Sequence, residues 1–311
     1  MKKFAFIFPG QGSQSLGMVS DYAAQFPVVN ETFEQASQAL GYDVAALINN
    51  GPQEKLNQTQ YTQPALLAAS VAMWKVWQSS TALEPTFMAG HSLGEYSALV
   101  CAGVLGFSDA IKIVAKRGQF MQEAVPQGVG AMAAIIGLTD AQVQEVCEKV
   151  GPSEDVCPAN YNSIGQVVIA GKKASVEEAV TQATALGAKL AKLIPVSVPS
   201  HCMLMQPAAA KLKEILLDTV FQKPKYSVVN NVDVNIESDA DMICDALVKQ
   251  LYSPVQWVKT IQFIQAQQVI TFAECGPGKI LTAMTKRIDK QLSLSMMLNP
   301  EQMQKFADGL E

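Results

Sequence analysis

The chain reads as an α/β protein: a parallel sheet covered on both faces by helices, with a smaller α+β unit inserted into it. Three observations carry this reading. Short apolar runs alternate with helical patterns from residue 3 to about 125; from about 128 the order becomes strand, helix, strand, strand, helix, strand; and helix and strand alternate again from about 204. Composition permits a large core, because 49% of the 311 residues are hydrophobic and 16% are charged, far from the balance of a disordered chain. A chain of this length can fold around one α/β core that carries an insertion.

The first strand covers 3–8: its apolar run follows Lys2-Lys3 and stops at Pro9-Gly10, too early for a leader peptide, so it reads as a buried strand. Helices follow within 15–50 and over 64–79, and Phe87-Met88-Ala89 places a strand over 86–89. A helix begins near Glu95 and carries Ala98, Leu99 and Ala102; the next, over 108–124, has an apolar stripe through Ile111, Val114, Ala115, Gly118, Met121 and Val125. Between 128 and 195 the strands are 130–137, 156–161, 166–171 and 189–196, the middle two joined by the Asn162-Ser163-Ile164-Gly165 turn, with helices over 140–150 and 173–187. This β-α-β-β-α-β order is that of a ferredoxin-like subdomain of roughly 65 residues. The remainder returns to the main domain with a helix over 204–217, a strand over 226–230, helices over 239–252 and 257–266, a strand over 269–273, and a helix over 278–287 after Gly276-Pro277-Gly278. The expected division is a main domain of 1–127 and 196–311 around a subdomain of 128–195.

Several function classes are disfavoured at once. The formal net charge is −5 and no basic run exceeds a pair, as Lys116-Arg117 and Lys286-Arg287 illustrate, which argues against nucleic-acid binding. No apolar segment approaches the roughly 18 residues needed to span a bilayer, so a soluble, cytoplasmic protein is expected. Six scattered cysteines without a Cys-x-x-Cys, and two histidines, suggest neither a disulfide framework nor a metal site.

The chemistry concentrates at Gly90-His91-Ser92-Leu93-Gly94, which fits the Gly-x-Ser-x-Gly nucleophile elbow in the strand-turn-helix context that an α/β-hydrolase-like core provides. A sharp turn needs residues without Cβ on both sides of the serine, and the following helix aims free N–H groups at it, with the Leu93 amide as the expected donor to an oxyanion. The serine needs a base. Of the two histidines, His91 lies inside the elbow and should point away from Ser92, so His201, in a loop just past an apolar strand, takes the assignment. No acidic residue stands out as its orienting partner: Asp109, Asp233, Asp245 and Glu274 remain candidates, and a carbonyl oxygen can also fix the imidazole tautomer.

At about 100° per residue, Lys116 falls opposite the apolar stripe of its helix and Arg117 at the border. Arg117 is either a surface charge or an inward fork for a carboxylate at the far end of the acyl group. The loop Pro9-Gly10-Gln11-Gly12-Ser13-Gln14-Ser15 lacks the third glycine of a dinucleotide fingerprint and has no Gly-Lys-Ser/Thr; beside a nucleophile it can supply a second oxyanion N–H, centred on Gln11.

Taken together, Phe8-Pro-Gly-Gln-Gly-Ser-Gln14, Thr62-Gln-Pro-Ala65, Gly90-His-Ser-Leu-Gly-Glu95, Arg117, Val198-Pro-Ser-His201 and Cys275-Gly-Pro-Gly278 closely resemble, in order and along the whole chain, the malonyl-CoA:acyl carrier protein transacylases of type II fatty acid synthesis. The resemblance implies a ping-pong transfer. Ser92 takes the malonyl group from malonyl-CoA and passes it to the phosphopantetheine thiol of holo acyl carrier protein, with no tightly bound cofactor on the enzyme itself. It further implies that His201 is the base, that the carbonyl of Gln250 orients it, that the amides at Gln11 and Leu93 form the oxyanion hole, that Arg117 pairs with the malonyl carboxylate, and that Gln63 and Asn162 line the cleft. Ile164 stands where relatives often carry proline, and Ser200 where polyketide acyltransferases vary with the choice between malonyl and methylmalonyl. Because acyl carrier proteins are acidic, Lys189 and Lys192 are the expected docking charges. Two rival readings are a serine esterase or thioesterase on the same elbow, which would have no use for a buried Arg117, and a non-catalytic carrier dock, which would not need both Ser92 and His201.

Overall fold

The computed structural model describes residues 2–126, 128–196 and 198–311, so the expected domain end at Gln127 lies outside the described residues. In chain order the first part comprises β1 (Phe4–Phe8), α1 (Ser20–Gln25), α2 (Pro27–Leu40), α3 (Val44–Asn50), α4 (Gln53–Leu56), α5 (Thr59–Ser80), β2 (Phe87–Gly90), α6 (Leu93–Cys101) and α7 (Phe107–Ala124). A middle part follows with β3 (Gly130–Ile136), α8 (Asp140–Val150), β4 (Val156–Ser163), β5 (Gln166–Lys172), α9 (Lys173–Ala185) and β6 (Leu190–Leu193). The last part holds a 3₁₀ turn (Met203–Met205), α10 (Gln206–Leu217), β7 (Ser227–Val229), α11 (Ala240–Gln250), α12 (Trp257–Ala266), β8 (Thr271–Glu274), α13 (Ile280–Ile288), β9 (Ser293–Met296) and α14 (Pro300–Asp308).

The strands form two sheets. One is wholly parallel, in the order β7-β2-β1-β8-β9; the other is antiparallel, in the order β4-β5-β3-β6. The continuous apolar run of β1 follows from its central place. Phe4, Phe6 and Phe8 enter the core on one face with Trp77 of α5 and Phe306 of α14, while Ala5 and Ile7 enter the core on the other with Trp257 and Ile261 of α12. The Phe6 and Trp77 rings meet edge to face with centroids 5.1 Å apart.

The antiparallel sheet buries one face under α8 and α9, through Ala133, Ile135, Val167 and Ile169 against Val143, Val146, Val176 and Ala179. Its opposite face, carrying Met132, Ala159, Val168 and Ala170, packs against Cys202 of the main body. Main-chain bonds stitch the two parts together, since Tyr161 N donates to Val255 O at 2.9 Å and Val255 N to Ala159 O at 2.9 Å. A cleft between the two sheets results.

Some boundaries move. β6 ends at Leu193 rather than 196, and α5 begins at Thr59, with Pro64 inside it, rather than at 64. Pro64 cannot give its N–H to the turn before it, and nearby the Thr62 hydroxyl reaches Gln58 O at 3.1 Å. β9 and α14 were not anticipated from the sequence; they add an edge strand and the helix that carries Phe306 onto β1.

Candidate active site

β2, beside the central β1, delivers Ser92 just past its end, and α6 begins one residue later. The turn is tight. A Cβ on Gly90 would overlap the Gly94 carbonyl and one on Gly94 would overlap Phe8 O, so the two glycines serve close backbone approach. Ser92 itself takes φ 52, ψ −107, a strained conformation for a residue with a side chain. Side chains from distant elements brace it: Asn231 Oδ1 accepts from Ser92 N at 2.6 Å, Asn231 Nδ2 donates to Gly90 O at 2.6 Å, and Gln250 Nε2 donates to Ser92 O at 3.1 Å.

His201, also at positive φ (63°), is anchored through its N–H to Leu251 O at 3.0 Å. Its Nδ1 lies 2.7 Å from the carbonyl oxygen of Gln250 and its Nε2 lies 2.8 Å from Ser92 Oγ. A carbonyl only accepts, so Nδ1 must carry the ring proton, which leaves the Nε2 lone pair facing the serine hydroxyl. Burial, reinforced by the Arg117 charge, brings the imidazole pKa down to about 3 and keeps it neutral. The acidic candidates stand elsewhere: Asp109, Asp233 and Asp245 are exposed, and Glu274 caps α13 by accepting from Leu281 N at 3.1 Å and Thr282 N at 2.8 Å.

Arg117 is 1% exposed. Its Nη1 donates to Gln63 Oε1 at 2.8 Å, and its Nη2 to Gln250 Oε1 at 2.9 Å and Ser92 Oγ at 3.2 Å. The Tyr96 ring lies under it, 5.5 Å from the guanidinium carbon. Gln63 is further held by Met121 Sδ at 3.4 Å. His91 turns to Asn162, its Nε2 2.8 Å from Asn162 Oδ1, so Asn162 is engaged with the elbow. Gln11 sits at the exposed rim, its side chain 3.4 Å from Thr59 Oγ1.

A cavity of about 200 Å³ joins these groups. Gln11, Gln63, Ser92, Leu93, Arg117 and His201 line it from the main body, with Met132, Asn162 and Val168 facing them from the antiparallel sheet and Ile194 from just past the end of β6. Gln250 stands just behind it. Two residues that sequence reasoning missed complete the arrangement, Asn231 and Glu95, the latter 3% exposed and bonded to both Asn231 and Gln250. The available signal for Glu95 was a lone carboxylate in an otherwise apolar helix; Asn231 follows a three-residue strand and offered none. Among the described residues, no group of metal-ligating side chains gathers and no helix is long and apolar enough to cross a membrane.

A parallel α/β sheet with a serine on its elbow paired to a histidine from a distant loop, beside a buried guanidinium in one cleft, defines the class of serine-dependent acyl-transfer enzymes. Comparison with known proteins is specific. Residues 5–303 match the family model of the acyl transferase domain. The chain is 58% identical over 300 residues to the malonyl CoA-acyl carrier protein transacylase of Salmonella typhimurium, covering 96% of this chain and 97% of that protein. It is 43% identical over 302 residues to the one from Bacillus subtilis, covering 97% and 95%. Among solved structures, the malonyl CoA-acyl carrier protein transacylase of Coxiella burnetii superposes with a TM-score of 0.98 at 51% identity, over 99% of this chain and 98% of that one. A malonyl-transacylase solved in complex with a type II PKS acyl-carrier protein gives 0.97 at 53% identity, over 99% and 100%. The chain is an acyltransferase and belongs to the malonyl CoA-acyl carrier protein transacylase family.

Proposed function

We propose that the protein transfers a malonyl group from malonyl-CoA to the phosphopantetheine thiol of holo acyl carrier protein through a malonyl ester on Ser92. The observation that carries this is Arg117: a buried guanidinium in the same cavity as the serine suits an acyl group that ends in a carboxylate. In the first half-reaction Ser92 Oγ attacks the thioester carbonyl while its proton passes to His201 Nε2. The resulting oxyanion is held by the main-chain N–H groups of Leu93 and Gln11, and the turn supports Leu93 as a donor because the N–H groups of Gly94 and Glu95 are already directed to His91 O and Ser92 O. Collapse breaks the C–S bond, His201 returns the proton to the departing thiolate, and CoA-SH leaves. The second half-reaction reverses these steps with the carrier's thiol, which gives its proton to His201 and takes the malonyl group.

The Gln250 carbonyl keeps His201 in the productive tautomer, and Gln63 holds the second arm of the guanidinium. Asn162 shapes the cleft through His91. Once the malonyl carboxylate meets Arg117, the cationic influence that weakens His201 is offset, so the substrate strengthens its own base.

The division into an α/β-hydrolase-like domain of 1–127 and 196–311 and a ferredoxin-like subdomain of 128–195 fits the strand order β4-β5-β3-β6 and the order of elements that builds it. Lys192 of β6 stands two residues before Ile194, which lines the cavity, so on an extended chain the two project to one face; this supports a role for Lys192 in receiving the acidic carrier, with the exposed Lys189 just before the strand as the second charge. The protein works in the cytoplasm without a tightly bound cofactor. Intact-protein mass spectrometry tests the central claim: brief exposure to malonyl-CoA should add one malonyl mass to the wild type and none to Ser92→Ala, and a chase with holo carrier should move it. An adduct that only hydrolyses, with the carrier untouched, would make the protein a hydrolase.

A further inference from the structure

Glu95 occupies the first turn of α6. A carboxylate there is ordinarily solvated and favoured by the helix dipole, yet Glu95 is 3% exposed and takes part in none of the ion pairs found among the described residues. Its partners are amides. Oε2 accepts from Asn231 N at 3.0 Å and from Gln250 Nε2 at 2.8 Å.

The bond to Gln250 matters because an amide has two unlike ends. Gln250 Nε2 donates to Glu95 Oε2 and, at 3.1 Å, to Ser92 O, which turns Oε1 onto Arg117 Nη2 at 2.9 Å. Rotating that amide by half a turn would set its N–H groups against the guanidinium and its oxygen against a carboxyl and a carbonyl. The Arg117 plane is fixed between two amide oxygens, those of Gln63 and Gln250, while its Nε has no partner among the described residues.

Resting on the function proposed above, we propose that Glu95 is a positioning residue for the acyl-carboxylate site: its carboxyl oxygen fixes which end of the Gln250 amide meets Arg117, and so holds the guanidinium in register with Ser92. Burial pushes the Glu95 carboxyl up to about 7, partly offset by the bonds from Gln250 and Asn231 and by the Arg117 charge. The hold on the amides does not depend on ionisation, because the proton of the neutral form can sit on the oxygen that is not shared.

The test compares kcat/KM for malonyl-CoA with that for p-nitrophenyl acetate, a neutral activated ester that acylates serine without needing a guanidinium, each corrected by a Ser92→Ala blank. Glu95→Met removes the acceptor and should lower the malonyl-to-acetate ratio at least about tenfold, with a raised KM for malonyl-CoA, the scale of a lost hydrogen bond to a charged group. Glu95→Gln restores an acceptor oxygen and should keep the ratio within about threefold of wild type. Gln250→Met, which retains the main-chain carbonyl on His201, should match Glu95→Met, and the double variant should lose no more than either alone. Gln250→Met carries the test where Glu95→Met does not fold. A wild-type ratio in Glu95→Met or in Gln250→Met, or losses that multiply in the double variant, would overturn the role of Glu95. Absence of a malonyl adduct on the wild type would instead remove the proposed function, and this inference with it.

Discussion

Arg117 separates the readings of this site most sharply at the level of a single residue. Arg117→Ala should lower kcat/KM for malonyl-CoA by at least about tenfold, corresponding to roughly 1.5–3 kcal/mol for a charge-assisted hydrogen bond, and should largely spare hydrolysis of a neutral ester. An unchanged value for malonyl-CoA would sink the carboxylate role. His201 makes a second prediction. A base acts in its unprotonated form, so activity falls as pH drops through its pKa; with that pKa lowered to about 3 by burial and Arg117, the acid limb of kcat/KM should lie well below the ordinary histidine value of 6.5. In Arg117→Ala the limb should move up, because the charge that adds most to the effect of burial is gone. A wild-type limb near 6.5 in stopped-flow acylation would contradict the environment described here. Ser92 and His201 were legible in the sequence because a serine elbow is a pattern and only two histidines compete. The carbonyl that meets His201 was not legible from residue chemistry, since every residue has one; it came from family resemblance. Glu95 was passed over because a first-turn acid needs no explanation until it is found buried.

At the level of elements, the crossing of α5 and α7 sets the width of the guanidinium site. Gly118 of α7 meets Gln60 Cα and Thr59 O of α5 so closely that an added Cβ would lie 2.7 Å from each, and one turn along that contact Gln63 reaches Arg117. Gly118→Ala should therefore push the helices apart, lowering Tm by several degrees and raising the KM for malonyl-CoA, with the thermal shift and the kinetics measured on one preparation. An unshifted KM would mean the crossing does not set the site. Periodicity found α7 and α12 nearly to the residue, because each carries an apolar stripe against the core. It placed the start of α5 late because proline ordinarily opens a helix, whereas Pro64 lies inside this one. The signals for α14 were present in Asn299-Pro300, where the Asn299 side chain accepts from Gln302 N at 2.9 Å, but β9 before it is a four-residue edge strand with no buried face to betray it.

For the whole molecule, the decisive feature is the seam between the two sheets, where Val255 exchanges main-chain bonds with Ala159 and Tyr161. The antiparallel sheet on its far side carries the exposed Lys192 in β6, with the exposed Lys189 just before that strand. Reversing both charges, Lys189→Glu with Lys192→Glu, should raise the KM for acyl carrier protein by about tenfold, more at low ionic strength than at high, and leave malonylation by malonyl-CoA unaltered. An unaltered KM for the carrier would place docking on another face. The element order of the middle part was readable because strand and helix patterns there are short and well separated; how its sheet packs on the main body depends on long-range contacts such as Met132 and Val168 with Cys202, which no local pattern encodes. The amides around Arg117 have one more consequence. Gln63 and Gln250 already occupy both arms of the guanidinium, so this cation surrenders its water once, when the chain folds. An arriving carboxylate exchanges one oxygen partner for another and has only its own hydration to shed. The dehydration of the positive charge thus belongs to the lifetime of the protein molecule and is not repeated at each turnover.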